Sequence, residues 1–419
     1  MSDLVSLLGE YRQGYGLPRS FYLNESIYHT EMDAIWRSGW LFAGHSVEAP
    51  NPGDYFVYDI EPDSIIIARA KSGILVATHN VCRHRGSRIM SEPAGHALRF
   101  VCPYHQWTYA PDGKLMTCRG MPDDLDKTVW SLKPVALREV EGLVFICLAE
   151  DPPDFEPAFQ LMRLMARPQG FSRARVAYAA EYQVPANWKI VWENNRECYH
   201  CDANHPQYIK ANFDRFDAGE LDEQIQKRID AATLRSQSRW AQAGLVITHS
   251  QAGLFHFPDA RENIWYSANR TALVDGYMSE TMDGHQIAPL MGSYSDPDVG
   301  TLRLRTLPNF WCHASCDHAV TTRLTPAGLH QTNVRVTWLV DEKARVGRDY
   351  SLDELLPFWK LTSEQDWEIC GNVQRGILSR VYTPGPLSPK KEYNVISFLD
   401  WYIQLMKSSA EMAVSNGSV

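Results

Sequence analysis

Two short runs, Cys82-Arg83-His84 and Cys102-Pro103-Tyr104-His105, stand seventeen residues apart and constrain the fold around them more than any other feature of the chain. Thiolate and imidazole donors in this number have two common uses. They close a zinc site, or they hold a two-iron cluster with sulfur on one iron and nitrogen on the other. Zinc modules usually take a cysteine pair followed by a histidine pair. Here each run supplies one of each, as two loops facing one another across a cluster would, so the pattern favours iron–sulfur. Neutral imidazoles in place of two thiolates lower the cluster's negative charge and raise its potential, which suits it to relay electrons. Tyr104 and the loop amides are candidate hydrogen-bond donors to sulfur.

The surroundings read as a small β domain. Strand-like runs at Tyr55–Ile60, Ser64–Ala70, Ile74–Thr78, Leu98–Val101 and Leu143–Leu148 are separated by turn signals such as Lys71-Ser72-Gly73 and Pro111-Asp112-Gly113. The pair Pro152-Pro153 then breaks the pattern, since proline continues neither helix nor ladder. Beyond it, strands are expected at Val176–Val184, Gly244–His249, Ile264–Ala268, Thr301–Leu307, Ala319–Leu324 and Val334–Val340, with helices at Trp188–His200 and Phe358–Leu378. Strands in a block with long helices around them predict an α+β domain on an antiparallel sheet. The expected division is 1–40 as an N-terminal segment packing on the second domain, 41–152 as the β domain and 153–419 as the second, α+β domain.

That second domain holds another constellation. Glu197 and His200 are three apart and would share one face of a helix running to His200. His205 is five further on, so both histidines reach one metal only if the helix ends or distorts between them, and Pro206 gives a reason for an ending. Two histidines and a carboxylate on one side of a metal leave the other side open for dioxygen chemistry. A third ligand is therefore required. The cluster Cys312, His313, Cys316, Asp317 and His318 lies between two predicted strands and reads as a hairpin end with incidental polar residues, and Cys118, Cys147, Cys198, Cys201 and Cys370 read as packing residues.

The C-x-H and C-x-x-H runs followed by Trp107 resemble the Rieske signature of ring-hydroxylating and related oxygenases. Glu197-x2-His200-x4-His205 resembles the mononuclear iron motif of the same family. The resemblance covers nearly the whole chain. It implies that Cys82, His84, Cys102 and His105 hold a [2Fe–2S] cluster in an all-β Rieske domain, and that His200 and His205 hold an Fe(II) in a helix-grip catalytic domain. Asp366, in Gln365-Asp366-Trp367, matches the place of the third ligand. Glu197 sits where the family keeps an acid bridging the cluster of one subunit and the iron of the next, which implies a homo-oligomer, a trimer by family habit. The chain has no G-x-G-x-x-G after a strand and no flavin signature, so electrons from NAD(P)H must arrive through a separate flavin and iron–sulfur reductase, with O2 as co-substrate.

Gln106 departs from the CPYHGW common among ring-hydroxylating members. With Trp192-Glu-Asn-Asn-Arg-Glu-Cys-Tyr-His-Cys201, it makes the chain similar to the glycine betaine and stachydrine demethylase branch. That similarity implies hydroxylation of an N-methyl group on a quaternary ammonium compound, with release of formaldehyde. Aromatic faces are the expected device for binding such a cation, with candidates in Tyr208, Phe213, Phe310, Trp311, Phe398, Trp401 and Tyr402. An aromatic-ring dioxygenase or O-demethylase, a choline-type monooxygenase and a Rieske electron carrier are the alternatives. The carrier would have no use for the second constellation. Composition adds exclusions: 44% apolar residues and 22% charged predict an ordinary compact protein, and a formal charge of −9 without a basic stripe argues against nucleic acid. The N-terminal stretch has acids near its start and no sustained apolar run, so a membrane partner is not expected and a cytoplasmic location is.

Overall fold

The computed structural model describes residues 2–214, 223–246 and 265–416. They form two compact units, Arg37–Phe155 and a second comprising Met1–Trp36 with Glu156–Val419.

In the smaller unit seven antiparallel strands lie in the order Leu41–His45, Leu143–Cys147, Pro134–Val140, Leu75–His79, Asp63–Arg69, Asp54–Ile60 and Ala94–His96. Runs such as Ser64-Ile-Ile-Ile-Ala68 form central strands because β-branched side chains pack well on a pleated surface covered on both sides. A separate three-stranded sheet joins Phe100–Val101, Thr108–Tyr109 and Leu115–Thr117. The predicted strand at Leu98–Val101 is therefore shorter and belongs to this second sheet. Gly113 closes its turn at φ +85°, where a Cβ would also press to 2.9 Å of Thr78. Tyr55, Ile66, Ile89, Phe100, Trp107, Tyr109 and Leu132 pack into one core with Cys82 and Cys102, so the apolar body of this unit is built directly beneath the cysteine loops.

The larger unit is organised by a six-stranded antiparallel sheet in the order Arg175–Val184, Thr332–Val340, His318–Pro326, Phe310–Ala314, Thr301–Thr306 and Tyr266–Thr271. With its surrounding helices it is an α+β unit, as expected. The strand expected at Gly244–His249 is not seen at 244–246, and the rest of it lies outside the described residues. A helix at Glu223–Gln242, with buried Ile229, Ala232, Ser236 and Trp240 at helical spacing, was not foreseen. The long helix Pro357–Leu378 starts with proline at its first position and buries Phe358, Trp359, Thr362, Ser363, Trp367, Cys370, Gly371 and Gln374 along one stripe.

Helix Trp188–Asn195 is capped by Asn187 and tied to that long helix at the same residue. Asn187 caps it through Lys189 N at 3.1 Å, and the Asn187 amide donates to Gln374 Oε1 at 2.8 Å. Behind it Lys189 and Glu31, both fully buried, pair at 2.6 Å, and Glu31 also accepts from Trp188 Nε1 and Tyr402 Oη. Desolvation lowers the Lys189 pKa, and Glu31 opposes that effect. The pair fastens the N-terminal segment and the C-terminal helix Tyr393–Asn416 to the helix leading into the second constellation.

Candidate metal centres

The two cysteine loops are near copies of one another. Cys82 N donates to Ser87 O and Gly86 N to Cys82 O; Cys102 N donates to Trp107 O and Gln106 N to Cys102 O, all at 2.9–3.0 Å. Each loop thus closes on itself with the cysteine buried at its base. Gly86 and Gln106 occupy the same place in the two loops, both with positive φ, 77° and 60°. The departure at Gln106 therefore puts a side chain on left-handed backbone, where glycine is strain-free. The rings of His84 and His105 meet edge to face at 4.7 Å, and Trp107 stacks on His84 at 4.9 Å and 8°.

Tyr104 does not reach sulfur. It is 55% exposed and its ring lies against His105 at 3.7 Å, because the loop turns its tip outward there. Tyr109, on the strand after the second loop, takes that part: its Oη accepts from Arg83 N at 3.1 Å, leaving its proton for Cys82 Sγ at 3.3 Å. Sequence reading missed it, though a tyrosine two past Trp107 points inward like the tryptophan by strand alternation. The donor set suits a cluster with mixed ligands. Two buried free thiols lie on one side, two imidazoles on the other, and His84 Nδ1 is buried with no hydrogen-bond partner among the described residues.

In the larger unit the helix expected to run from Trp188 to His200 stops at Asn195, and Cys198 to Cys201 form a turn closed by Cys201 N donating to Cys198 O at 3.2 Å. Glu197 and His200 consequently do not share a helix face. Glu197 folds over the turn instead, accepting from the amides of Tyr199 and His200 and from His200 Nδ1 at 2.6 Å. The tight turn brings the Cα atoms of Cys198 and Cys201 to 5.0 Å, and the two are joined as a disulfide that brackets His200. They are not the free packing residues the sequence suggested. After the short helix Cys201–Asn204, His205 caps its end, with Pro206 following.

His200 Nε2 and His205 Nε2 lie 3.1 Å apart, and both face Asp366 Oδ1, at 3.3 and 2.9 Å. Glu197 can only accept, so His200 carries its proton on Nδ1. Gln365 Oε1 accepts from His205 Nδ1 at 2.8 Å and from Gln207 at 2.9 Å, which fixes the same tautomer there. Both Nε2 atoms and the carboxylate oxygen thus converge on one point, an arrangement that calls for a proton or a metal cation among them. Separations of about 3 Å suit adjacent ligands of a first-row metal with bonds of about 2.1 Å. Burial works against a charged His200 ring, yet Asp366 and Glu197 raise its pKa to about 10. Burial also works against an ionised Asp366, and the two imidazoles hold its pKa below the usual value. The surroundings favour positive charge at this spot.

The three donors open into a cleft of about 670 Å³, including its part open to solvent, among whose lining residues are Tyr208, Trp311, His313, Trp359, Trp367, Arg303 and Arg305. Of the aromatic candidates only Tyr208 and Trp311 are there. Phe398 and Tyr402 pack on Trp188 in the core, because the C-terminal helix buries the face that carries them. Trp359 and Trp367 were missed, although Trp359, Ser363, Asp366 and Trp367 fall on one face at helical spacing. The polar residues at the hairpin end 312–318 are not incidental. His313 lines the cleft, and Asp317 anchors the preceding loop by accepting from Ser279 Oγ and Ile287 N at 2.6 and 2.7 Å.

Residues 39–131 match the family described as Rieske [2Fe-2S] domain, and residues 171–408 match the ring hydroxylating alpha subunit (catalytic domain). Over 400 residues the chain is 37% identical to the glycine betaine monooxygenase oxygenase subunit of Chromohalobacter salexigens, spanning 95% of this chain and 87% of that one. Its counterpart from Pseudomonas aeruginosa is 36% identical over 94% and 89%. Among solved structures, the quaternary ammonium Rieske monooxygenase CntA in complex with its substrate γ-butyrobetaine superposes with a TM-score of 0.67 at 20% identity, over 96% of this chain and 98% of that one.

Proposed function

The chain belongs to the ring-hydroxylating alpha-subunit family of Rieske oxygenases, and from that premise we propose that it hydroxylates an N-methyl group of a quaternary ammonium compound, glycine betaine foremost. One observation carries the reading. Three convergent donors, His200, His205 and Asp366, open into a cleft walled by Trp311, Trp359 and Trp367 in a chain similar over 95% of its length to a glycine betaine monooxygenase subunit.

In this reading Cys82, His84, Cys102 and His105 hold the [2Fe–2S] cluster, and His200, His205 and Asp366 hold the mononuclear iron. When bound, the two groups relay electrons and activate dioxygen for insertion into a C–H bond. The chain's own residues do the rest. Tryptophan faces attract a trimethylammonium group that offers no N–H for hydrogen bonding. Glu197 and Gln365 keep the Nδ1 protons of His200 and His205 in place, so both Nε2 lone pairs stay turned toward Asp366. The N-methyl carbon takes one oxygen atom of O2, and the other leaves as water with two electrons and two protons. The resulting carbinolamine releases formaldehyde and the demethylated amine.

Electrons come from NAD(P)H through a separate reductase. Glu197, already on His200, extends to a cluster histidine of a neighbouring copy in a trimer. No described helix is long and apolar enough to cross a membrane.

The test is purified holoprotein with a surrogate reductase, NADH and a panel of methylated ammonium compounds, scored for formaldehyde. Formaldehyde equal to NADH consumed, with glycine betaine, supports the reading. Oxidation of an aromatic substrate without formaldehyde from any methylated amine overturns it.

A further inference from the structure

The sheet face that lines the cleft carries Arg303 and Arg305 from one strand, Trp311 and His313 from the next, and Thr322 from the one after. They stand in cross-strand register, Arg303 beside His313, Arg305 beside Trp311, Trp311 beside Thr322. The two arginines are almost equally buried, at 2% and 6% exposure. Their partners differ. Arg303 holds Asp214 through two bonds of 2.8 Å and reaches Asn212 at 3.1 Å. Arg305 makes no hydrogen bond or ion pair among the described residues, its Nε is buried without a partner, and Asp214 acts on it only from its place on Arg303.

Its neighbours offset its charge only in part: Asp214 and Tyr208 favour it, but both are bonded elsewhere, and burial with repulsion from Arg303 outweighs them. Arg196, 4% exposed and with its Nε also unpartnered, adds a second positive charge close by. Burial, then repulsion from Arg303, lowers the Arg305 pKa to about 10, which leaves it charged at neutral pH. A buried guanidinium without a counter-charge is costly. The cost is tolerable where a ligand brings the missing anion, and the planar fork of arginine fits a carboxylate. Elsewhere in the same cleft the polarity is reversed, with Glu197 and Asp366 beside the tryptophans.

We propose that Arg305 anchors the carboxylate of a zwitterionic substrate, so that the cleft selects betaines, with methylated nitrogen and carboxylate in one small molecule, over methylated cations that lack the carboxylate. This rests on the quaternary ammonium reading above and adds to it a residue that sets specificity. Both ends of the substrate are then matched, the cation by aromatic faces, the anion by Arg305 with Arg196 reinforcing its field.

The test uses anaerobic calorimetry on holoprotein, with steady-state formaldehyde assays alongside. Wild type should bind glycine betaine about a hundredfold more tightly than its methyl ester or choline. Arg305→Gln should raise Kd and KM for glycine betaine by about the same factor with kcat little changed, collapsing the preference over choline, and Arg305→Lys should fall between. Unaltered betaine affinity in an Arg305→Gln protein with its cluster spectrum and iron content intact overturns the proposal. So does a wild type that binds choline as tightly as glycine betaine, a result that needs no variant to fold. Formaldehyde from no methylated ammonium compound at all overturns the parent reading, whereas formaldehyde from glycine betaine with an indifferent Arg305 overturns this one alone.

Discussion

The cysteine loops of the smaller unit and the cleft of the larger one gather their candidate metal donors in different ways. Four donors of the smaller unit come from two adjacent loops with the same internal hydrogen bonds, cysteines buried at the base and His105 exposed at the rim. In the larger unit His200 and His205 flank a broken helix, and Asp366 arrives 161 positions after His205 on a long helix held by Gln374 and Gln365. A centre that only passes electrons needs short, stiff loops with an accessible edge. One that does chemistry on a substrate needs walls, and walls require elements far apart in the chain.

The largest effect should come from cutting the long-range arm. Asp366→Ala should lower iron from about three to about two per chain and reduce turnover by more than about a hundredfold, while the cluster spectrum stays unchanged. Retained turnover would place the third ligand elsewhere and remove the contrast between the centres. Glu197→Gln tests whether the centres communicate. It should keep both metals yet slow oxidation of the pre-reduced cluster by about tenfold or more in the presence of substrate and O2. Loss of mononuclear iron in that variant would mean Glu197 only orients His200.

A scaffold change should separate the units. Lys189→Met leaves Glu31 buried without its counter-charge and should destabilise the larger unit by about 3 kcal/mol, read as a fall in its melting temperature with the cluster absorbance still present below the transition. Simultaneous loss of both signals would show that the units unfold together. The smallest effect belongs to Tyr109→Phe. Removing a donor to Cys82 sulfur destabilises the reduced, more negative cluster, so its potential should drop by about 40 mV for a bond worth about 1 kcal/mol, as measured by redox titration. No shift would leave the loop amides as the donors that matter.

Much of the smaller site was legible in sequence because its information is local. Loop, donor and following tryptophan lie within a few residues of each other, and strand alternation carries the rest. Only the choice of Tyr109 over Tyr104 needed the fold, since which ring turns inward depends on the second small sheet. The larger site was legible in its donors but not in their setting. Periodicity ran the helix through His200, whereas the chain breaks after Asn195, where Glu197 takes the turn's amide protons and the two cysteines close.

Residue types and spacing by themselves pointed to two groups of candidate donors and to a β and an α+β division, while Asp366 and a methylated cation came from the resemblance to a known family. Only tertiary structure decided which aromatic residues wall the cleft, and that of two arginines two positions apart, one is bonded to Asp214 and the other to no carboxylate. The reason is physical. Spacing along a chain fixes which side chains share a face, but a counter-charge comes from whatever element packs opposite, and that is settled only when the sheet and its helices close on one another.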